Sequence, residues 1–409
     1  MAKLDLNYVR SQFPAFATPA LQGHANFENA GGSYMCQQVI DRFSRYFEQR
    51  KVQPYGYYKA SIEAGEEMDL AHARLAQYMN VGTDEVMYGP STSQNTYVLA
   101  QGFLGRMEAG DSIIVSEQEH EANAGAWHRM ANQGINVKVW PIDGVTGQLS
   151  LDDLTPLLDN SVKLVAVTHC SNVVAEIHHI RAIADLVHEA GAILVVDGVS
   201  YCPHGLPDVD ALGADVYMFS AYKTYGPHQG AMVIRPSARA LIEPQAHYFN
   251  HQIAEKYMVP AGPDHAQVAA ANGMFDYFDA IDAHHGGADD AGRPRRVEKL
   301  FRQAEVENLT PLLEYISSRN DLRLIGPDDP ELRAPTVTFT SAHLSSAEIA
   351  EKLAFFGVMA GAGNFYAVRP LDGLGVNPDD GVVRLSFVHY TTRAEIDQAI
   401  DALNQILAS

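Results

Sequence analysis

Short aliphatic and β-branched runs alternate with amphipathic stretches through the first two thirds of the chain. DSIIVSE (111–117), NVKVWPI, VKLVAVTHCSN (162–172), AILVVDG (192–198), DVYMFSAYK (215–223) and GAMVIRP (230–236) read as strands. ANAGAWHRMANQG, SLDDLTPLL and HIRAIADLVHEAG read as helices between them. Near-continuous apolar strands separated by helices predict a mostly parallel sheet covered on both faces. The polar, glycine-rich segment HHGGADDAGRPRR (284–296) breaks this pattern.

Beyond the break, RVEKLFRQAEVENLTPLLEYISS predicts a long helix, and APTVTFT (334–340) and GVVRLSF (381–387) predict strands. Ser345 and Glu348 have capping-box spacing at the start of one helix, and Thr392 and Glu395 at the start of the last. In that last helix Ile396, Ala399, Ile400, Leu403, Ile406 and Leu407 share one face. These elements predict a smaller α/β domain of the βαβ type. The expected division is residues 17–283 for the large domain, with 1–16 and 284–409 for the small one.

Composition narrows the function classes. The 409 residues carry a formal net charge of −21, which argues against a nucleic-acid or acidic-membrane binder. No run approaches the ~18 apolar residues of a membrane span, and the N-terminal stretch lacks an apolar signal core. The three cysteines, Cys36, Cys170 and Cys202, form no disulfide or metal spacing, so a reducing cytoplasm is expected. The pairs His178–His179 and His284–His285 lack companion ligands, so no metal site is expected. The aromatic YGYY (55–58), ahead of a helix, reads either as lining of a substrate entrance or, more simply, as packing.

Ligands of open α/β sheets bind at the carboxyl ends of the strands. The predicted strands deliver His120, His169 and Asn172, Asp197, and Ser220 with Lys223 to such ends. A carboxylate closing a buried run needs a cationic partner, which an arginine, a helix N-terminus or a protonated pyridine nitrogen would each supply. A lysine and an aspartate together are what a pyridoxal phosphate enzyme requires, one for the Schiff base and one for the pyridinium. Ser91, Thr92 and Ser93 precede a helical run, which reads either as an anion site or as plain capping.

The blocks FENAGGS (27–33), GPSTSQNTYVLAQGF, SEQEHEANAGAW (116–127), VAVTHCSNVVAEI (165–177), VVDGVSYCPHGLPDVDALGADVYMFSAYKTYGP (195–227) and VVRLSF (382–387) follow one another along the chain. In this order the sequence resembles the class V aminotransferase family of pyridoxal phosphate enzymes, and within it the cysteine desulfurase and selenocysteine lyase branch, which also holds isopenicillin N epimerase-like proteins. The resemblance implies fold type I: a large domain with a mostly parallel sheet of the seven-stranded type flanked by helices, plus a smaller C-terminal α/β domain.

It also implies roles. Lys223 would carry the cofactor and shuttle the proton at the substrate Cα. Asp197 would hold the pyridine nitrogen protonated, His120 would stack on the ring, and Asn172 would hydrogen-bond the ring oxygen. Thr92, Ser93 and Ser220 would bind the phosphate. Gly262 and His265, in VPAGPDHAQ (259–267), would complete it from the second subunit of a homodimer. Arg384 would clamp the carboxylate of a small amino acid. Asn29 belongs to the same substrate side.

The sequence also departs from the resemblance. In GAGNFYAVRP (361–370), Gly361 stands where an arginine is expected and Tyr366 where desulfurases carry the nucleophilic cysteine. No cysteine lies C-terminal to Cys202. Tyr366 is then either an acid toward a leaving group or part of the wall. Ser200 replaces a glutamine and Tyr222 a histidine, both beside the cofactor. The expected activity is a desulfurase-like lyase without the persulfide cysteine. The alternatives are an aminotransferase, an epimerase, or a non-catalytic scaffold that binds the cofactor. A dinucleotide enzyme is disfavoured because no G-x-G-x-x-G follows a strand.

Overall fold

The structure is a computed structural model describing residues 3–287 and 289–408. The strands are β1 (Ala25–Asn26), β2 (Val86–Gly89), β3 (Ser112–Ser116), β4 (Asn136–Trp140), β5 (Val162–Thr168), β6 (Ile193–Asp197), β7 (Val216–Ser220), β8 (Gly230–Ile234), β9 (Leu322–Ile325), β10 (Thr336–Ser341), β11 (Val358–Met359), β12 (Gly361–Gly363) and β13 (Val382–Ser386).

A seven-stranded sheet has the order β2-β8-β7-β6-β5-β3-β4. β4, β3, β5, β6 and β7 run parallel, while β8 opposes both β7 and β2. Every residue of β3, β6, β7 and β8 is buried, which is why these segments read as unbroken apolar runs. The period-two alternation splits each strand between two cores. Leu194, Val196, Tyr217 and Phe219 enter one hydrophobic cluster, and Ile193, Val195, Val216 and Met218 the other. Helices therefore cover both faces.

The smaller sheet, β12-β13-β10-β9, is antiparallel throughout. The βαβ unit expected from the sequence is thus corrected: the helix Ser346–Phe355 after β10 leads to the short strands β11 and β12, and β12 pairs against β13. Glycine-rich β12 carries no apolar signature.

Packing at the start of the chain and along one long helix runs across the expected domain boundaries. Leu4, Val9 and Phe13 pack into the large-sheet cluster. Residues 25–28 instead join the small domain, with β1 parallel to β11 and Glu28 bridged to Ser386. The helix Arg293–Ser317 crosses between the two cores. Its Val297 and Phe301 belong to the large cluster, and its Leu309, Leu312, Leu313 and Ile316 to the small-sheet cluster. The change of core falls inside this helix.

Candidate active site

β5, β6 and β7 end together at one edge: Thr168 pairs with Asp197, and Asp197 with Met218. A cavity of ≈ 270 Å³ opens there. It is lined by Thr92, Ser93, His120, Asn172, Asp197, Ser200, Ser220, Tyr222 and Lys223, all singled out from the sequence, together with Ser91, Ala122, Thr168, Val199 and His228.

Lys223 closes the single 3-10 turn Ala221–Lys223 that follows β7. Its backbone is fixed by Ser33, whose Oγ donates to the Lys223 carbonyl at 2.6 Å. The side chain is 7 % exposed, and its amine makes no hydrogen bond or ion pair among the described residues. Burial, with Arg384 nearby, lowers the amine to about 8, while Asp197 and Glu28 act in the opposite direction.

Asp197 is equally short of partners. Its Oδ1 accepts one hydrogen bond, from the Val199 N–H at 2.8 Å, and it has no ion pair among the described residues. Burial raises it to about 6, against the Val199 hydrogen bond and the charge of Lys223. A buried carboxylate so sparsely satisfied fits a cationic N–H group placed in the cavity.

The third wall of the cavity has the chemistry an anion site needs. Ser91 caps the helix Thr92–Leu104 by accepting from the Gln94 N–H at 3.2 Å. The first-turn N–H groups of Thr92 and Ser93 have no acceptor within the helix. A Cβ at Gly230 would collide with the backbone of Ser91 and Thr92, so glycine lets this turn lie on the first residue of β8.

His120 is the N-cap of the helix Glu121–His128, and its Nδ1 accepts from the Ala122 N–H at 3.0 Å. That bond places the ring proton on Nε2. Burial, then Lys223 and Arg384, lowers the imidazole to about 3, so it is neutral and suited to stacking on an aromatic ring. Tyr222 stacks on His228, with ring centroids 4.8 Å apart. Asn172 donates through Nδ2 to the Phe365 carbonyl at 3.0 Å, and its buried Oδ1 has no partner. One amide N–H of Asn172 is thus engaged by the 361–370 loop, leaving the other for a cofactor oxygen.

The substrate-side candidates flank the cavity. Arg384, in the middle of β13, is 3 % exposed. Asn29 and Lys223 share a small adjoining cavity, and Asn29 Nδ2 donates to the Ser386 carbonyl at 3.2 Å. Tyr366 is 71 % exposed, with its ring 5.5 Å from that of His120. Gly262 and His265 do not join this cavity within one chain. They line a separate one of ≈ 450 Å³ with Tyr55, Asp69, His72 and Tyr88.

Two acidic residues escaped the sequence reading. Glu119, beside His120, is fully buried. It accepts from Ser116 Oγ at 2.5 Å and Asn123 Nδ2 at 2.7 Å, and burial plus the Asp197 charge raises it to about 8. Glu28, beside Asn29, approaches Arg384 at 3.6 Å. Both lie within recognised motifs, but a lone Glu ordinarily reads as surface.

The donor set fits pyridoxal phosphate: an unpartnered buried amine, an undersatisfied carboxylate, a neutral imidazole, and hydroxyls at a helix N-terminus around one cavity. The family model for class V aminotransferases matches residues 25–258 and 300–399. The aminotransferase-like protein FGM3 of Gibberella zeae is 36% identical over 423 residues, covering 99% of each chain. The cysteine desulfurase-like protein ustD of Aspergillus flavus is 32% identical, over 99% of this chain and 91% of its own. The apo structure of the cysteine desulfurase of Thermococcus onnurineus NA1 superposes with a TM-score of 0.87 over 100% of both chains, at 21% identity, and so shares the fold. The chain belongs to the class V aminotransferase family, as a cysteine desulfurase-like, pyridoxal phosphate-dependent enzyme of fold type I.

Proposed function

We propose that this enzyme is a lyase that breaks a bond at the β-carbon of a small amino acid without forming a persulfide on its own chain. The observation that carries this reading is the placement of the thiols. Cys36, Cys170 and Cys202 are all buried, and none lines the cavity shared by Lys223 and Asp197. Burial raises Cys36 and Cys170 to about 12, far from the thiolate that a sulfur relay needs.

When bound, the cofactor supplies an electron sink for the substrate Cα. Arg384 then orients the substrate carboxylate and fixes which Cα bond is exposed to reaction. Lys223, whose amine is pushed toward neutrality by burial, takes the Cα proton and later returns one. Asp197 holds a proton at the pyridine nitrogen. The flat face of His120 excludes water above the site. Tyr366, at the mouth, is either a proton donor to the leaving group or a wall.

Transamination is the second reading, since the same lysine serves it, and epimerisation is a third. A non-catalytic scaffold would have little need for an unpartnered buried lysine and aspartate. An amino-acid screen with product analysis, run with and without a 2-oxo acid acceptor, tests the choice. Pyruvate or alanine formed without an acceptor supports the lyase. Product that forms only with an acceptor overturns it in favour of transamination.

A homodimer and a cytoplasmic setting belong to the same proposal. Gly262 and His265 lie away from the chain's own cavity, and Tyr57, Tyr58, Tyr248 and Phe249 are exposed aromatics on segments around them. A second copy would cover these rings and bring His265 to the other copy's phosphate. Among the described residues no helix is long and apolar enough to cross a membrane. The free thiols suit a reducing compartment.

A further inference from the structure

Arg384 already holds partial company. Its guanidinium lies 3.7 Å over the Phe365 ring centroid. Its Nη1 reaches the Asn172 carbonyl at 3.4 Å, and its Nη2 lies 3.6 Å from Glu28 Oε1. Its Nε is buried without an acceptor, and Glu28 Oε1 is buried without a donor. At 3.6 Å the two charges attract, but they do not form a good hydrogen bond. Each group is left incompletely satisfied by the other.

The fold holds Glu28 in this place. The bridge between Glu28 and Ser386 sets residue 28 beside β13, and Ser386 shares a face of that strand with Arg384. Gly361, the β12 partner of Arg384, makes the space. A Cβ at Gly361 would collide with the Glu28 carboxylate and crowd the Phe365 ring. Where the family resemblance implies an arginine side chain, this chain has none, and a carboxylate takes up the room.

We propose that Glu28 is an internal counter-ion for Arg384, holding the guanidinium in the absence of substrate and yielding it to the substrate carboxylate. Glu28 thereby sets how tightly the site takes a carboxylate, a specificity-determining role that rests on the reading of Arg384 as the carboxylate clamp. The binding step exchanges one anion for another at a buried cation, so the clamp is never left without a counter-charge. The exchange costs affinity, because Glu28 competes and then stays close to a like charge.

The test is calorimetric titration of the holoenzyme with propionate, a carboxylate that has no amino group to react. E28Q keeps the shape of the side chain and removes its charge. Propionate should bind E28Q roughly threefold to tenfold more tightly than the wild type, the range of a partly buried ion pair. E28D, too short to keep the contact, should shift affinity in the same direction. R384A and R384K should lose propionate binding. Equal or weaker binding by E28Q, with binding lost in R384A, overturns the counter-ion and leaves the clamp standing. Undiminished binding by R384A overturns the clamp itself and the counter-ion with it.

Discussion

Thr92 Oγ1 and Ser220 Oγ lie 2.8 Å apart, so the first turn of a helix is hydrogen-bonded to the last residue of β7 at the edge of the cavity. Both hydroxyls are buried and each can donate or accept. A bound phosphate would find the pair already positioned, with one hydroxyl oriented by the other. Thr92→Val should therefore weaken cofactor binding by about tenfold, the worth of one charge-assisted hydrogen bond, while costing only ~1 kcal/mol of apo stability. Cofactor titration followed by visible absorbance, beside thermal melts, checks this. Unchanged affinity would remove Thr92 from the phosphate site.

Lys223 is a burial penalty in the absence of cofactor. Its folded value of about 8 lies below the ordinary 10.5, so the unfolded chain binds more protons between those pH values. Apo stability should rise with pH across that window. Lys223→Met should remove the slope and stabilise the apo-protein near pH 7 by up to about 3 kcal/mol, at ~1.4 kcal/mol for each tenfold loss of proton affinity. The same variant should show no Schiff-base absorbance band with cofactor, and borohydride should fix no label at residue 223. Denaturant melts at several pH values read the first part, and peptide mass spectrometry the second.

Glu119 has the opposite sign. Its value is raised to about 8 from the ordinary 4.5, so the folded state binds more protons between those limits. The stabilisation this carries is complete below 4.5 and is lost as pH rises through 8. Glu119→Gln keeps an acceptor for Asn123 and removes the titration. The variant should match the wild type near pH 5 and outlast it by several degrees near pH 9. An unchanged difference across that range would mean that Glu119 is charged throughout.

Gly230→Ala probes the floor of the anion site. The added methyl meets backbone of Ser91 and Thr92, which has no flexible side chain to move aside. The turn must shift, so cofactor affinity should fall by at least tenfold, with ~1–3 kcal/mol lost in stability from overpacking. Melting with and without cofactor separates the two effects: the cofactor-induced gain in Tm should shrink more than the apo Tm falls.

Six strands of the large sheet were legible, most of them because burial on both faces leaves near-continuous apolar runs, while β2 was not read from the sequence. Asp197, Ser220 and Lys223 were legible because each interrupts or ends such a run, and Arg384 only through the family resemblance that VVRLSF helps to carry. The antiparallel pairing of β12 was not, since Gly361–Gly363 carries only the methyl group of Ala362 and shows no alternation. The crossing of Arg293–Ser317 between two cores was hidden because helical periodicity reports an apolar face and not the body it packs on. Glu28 and Glu119 were missed for a related reason. Only the fold reveals that Glu119 has lost its water and that Glu28, still partly exposed, turns one oxygen toward a buried arginine.

The reversal of β8 also bears on the lysine. Because β8 runs against β7, Ser220 faces Gly230 across the pair, and the residues between them form a hairpin loop tied at its base. Lys223 rides on that loop. A crossover to a parallel neighbour would have carried the chain off toward the opposite edge of the sheet. Here both ends stay at the ligand's edge, and the Ala221 N–H bonds the Gln229 carbonyl at 2.8 Å to close the loop just above its base. The reach of the amine is thus set by the backbone on both sides of it. A covalent partner at this amine would find the backbone beneath it already ordered, so that part of the entropic cost would be met when the chain folds.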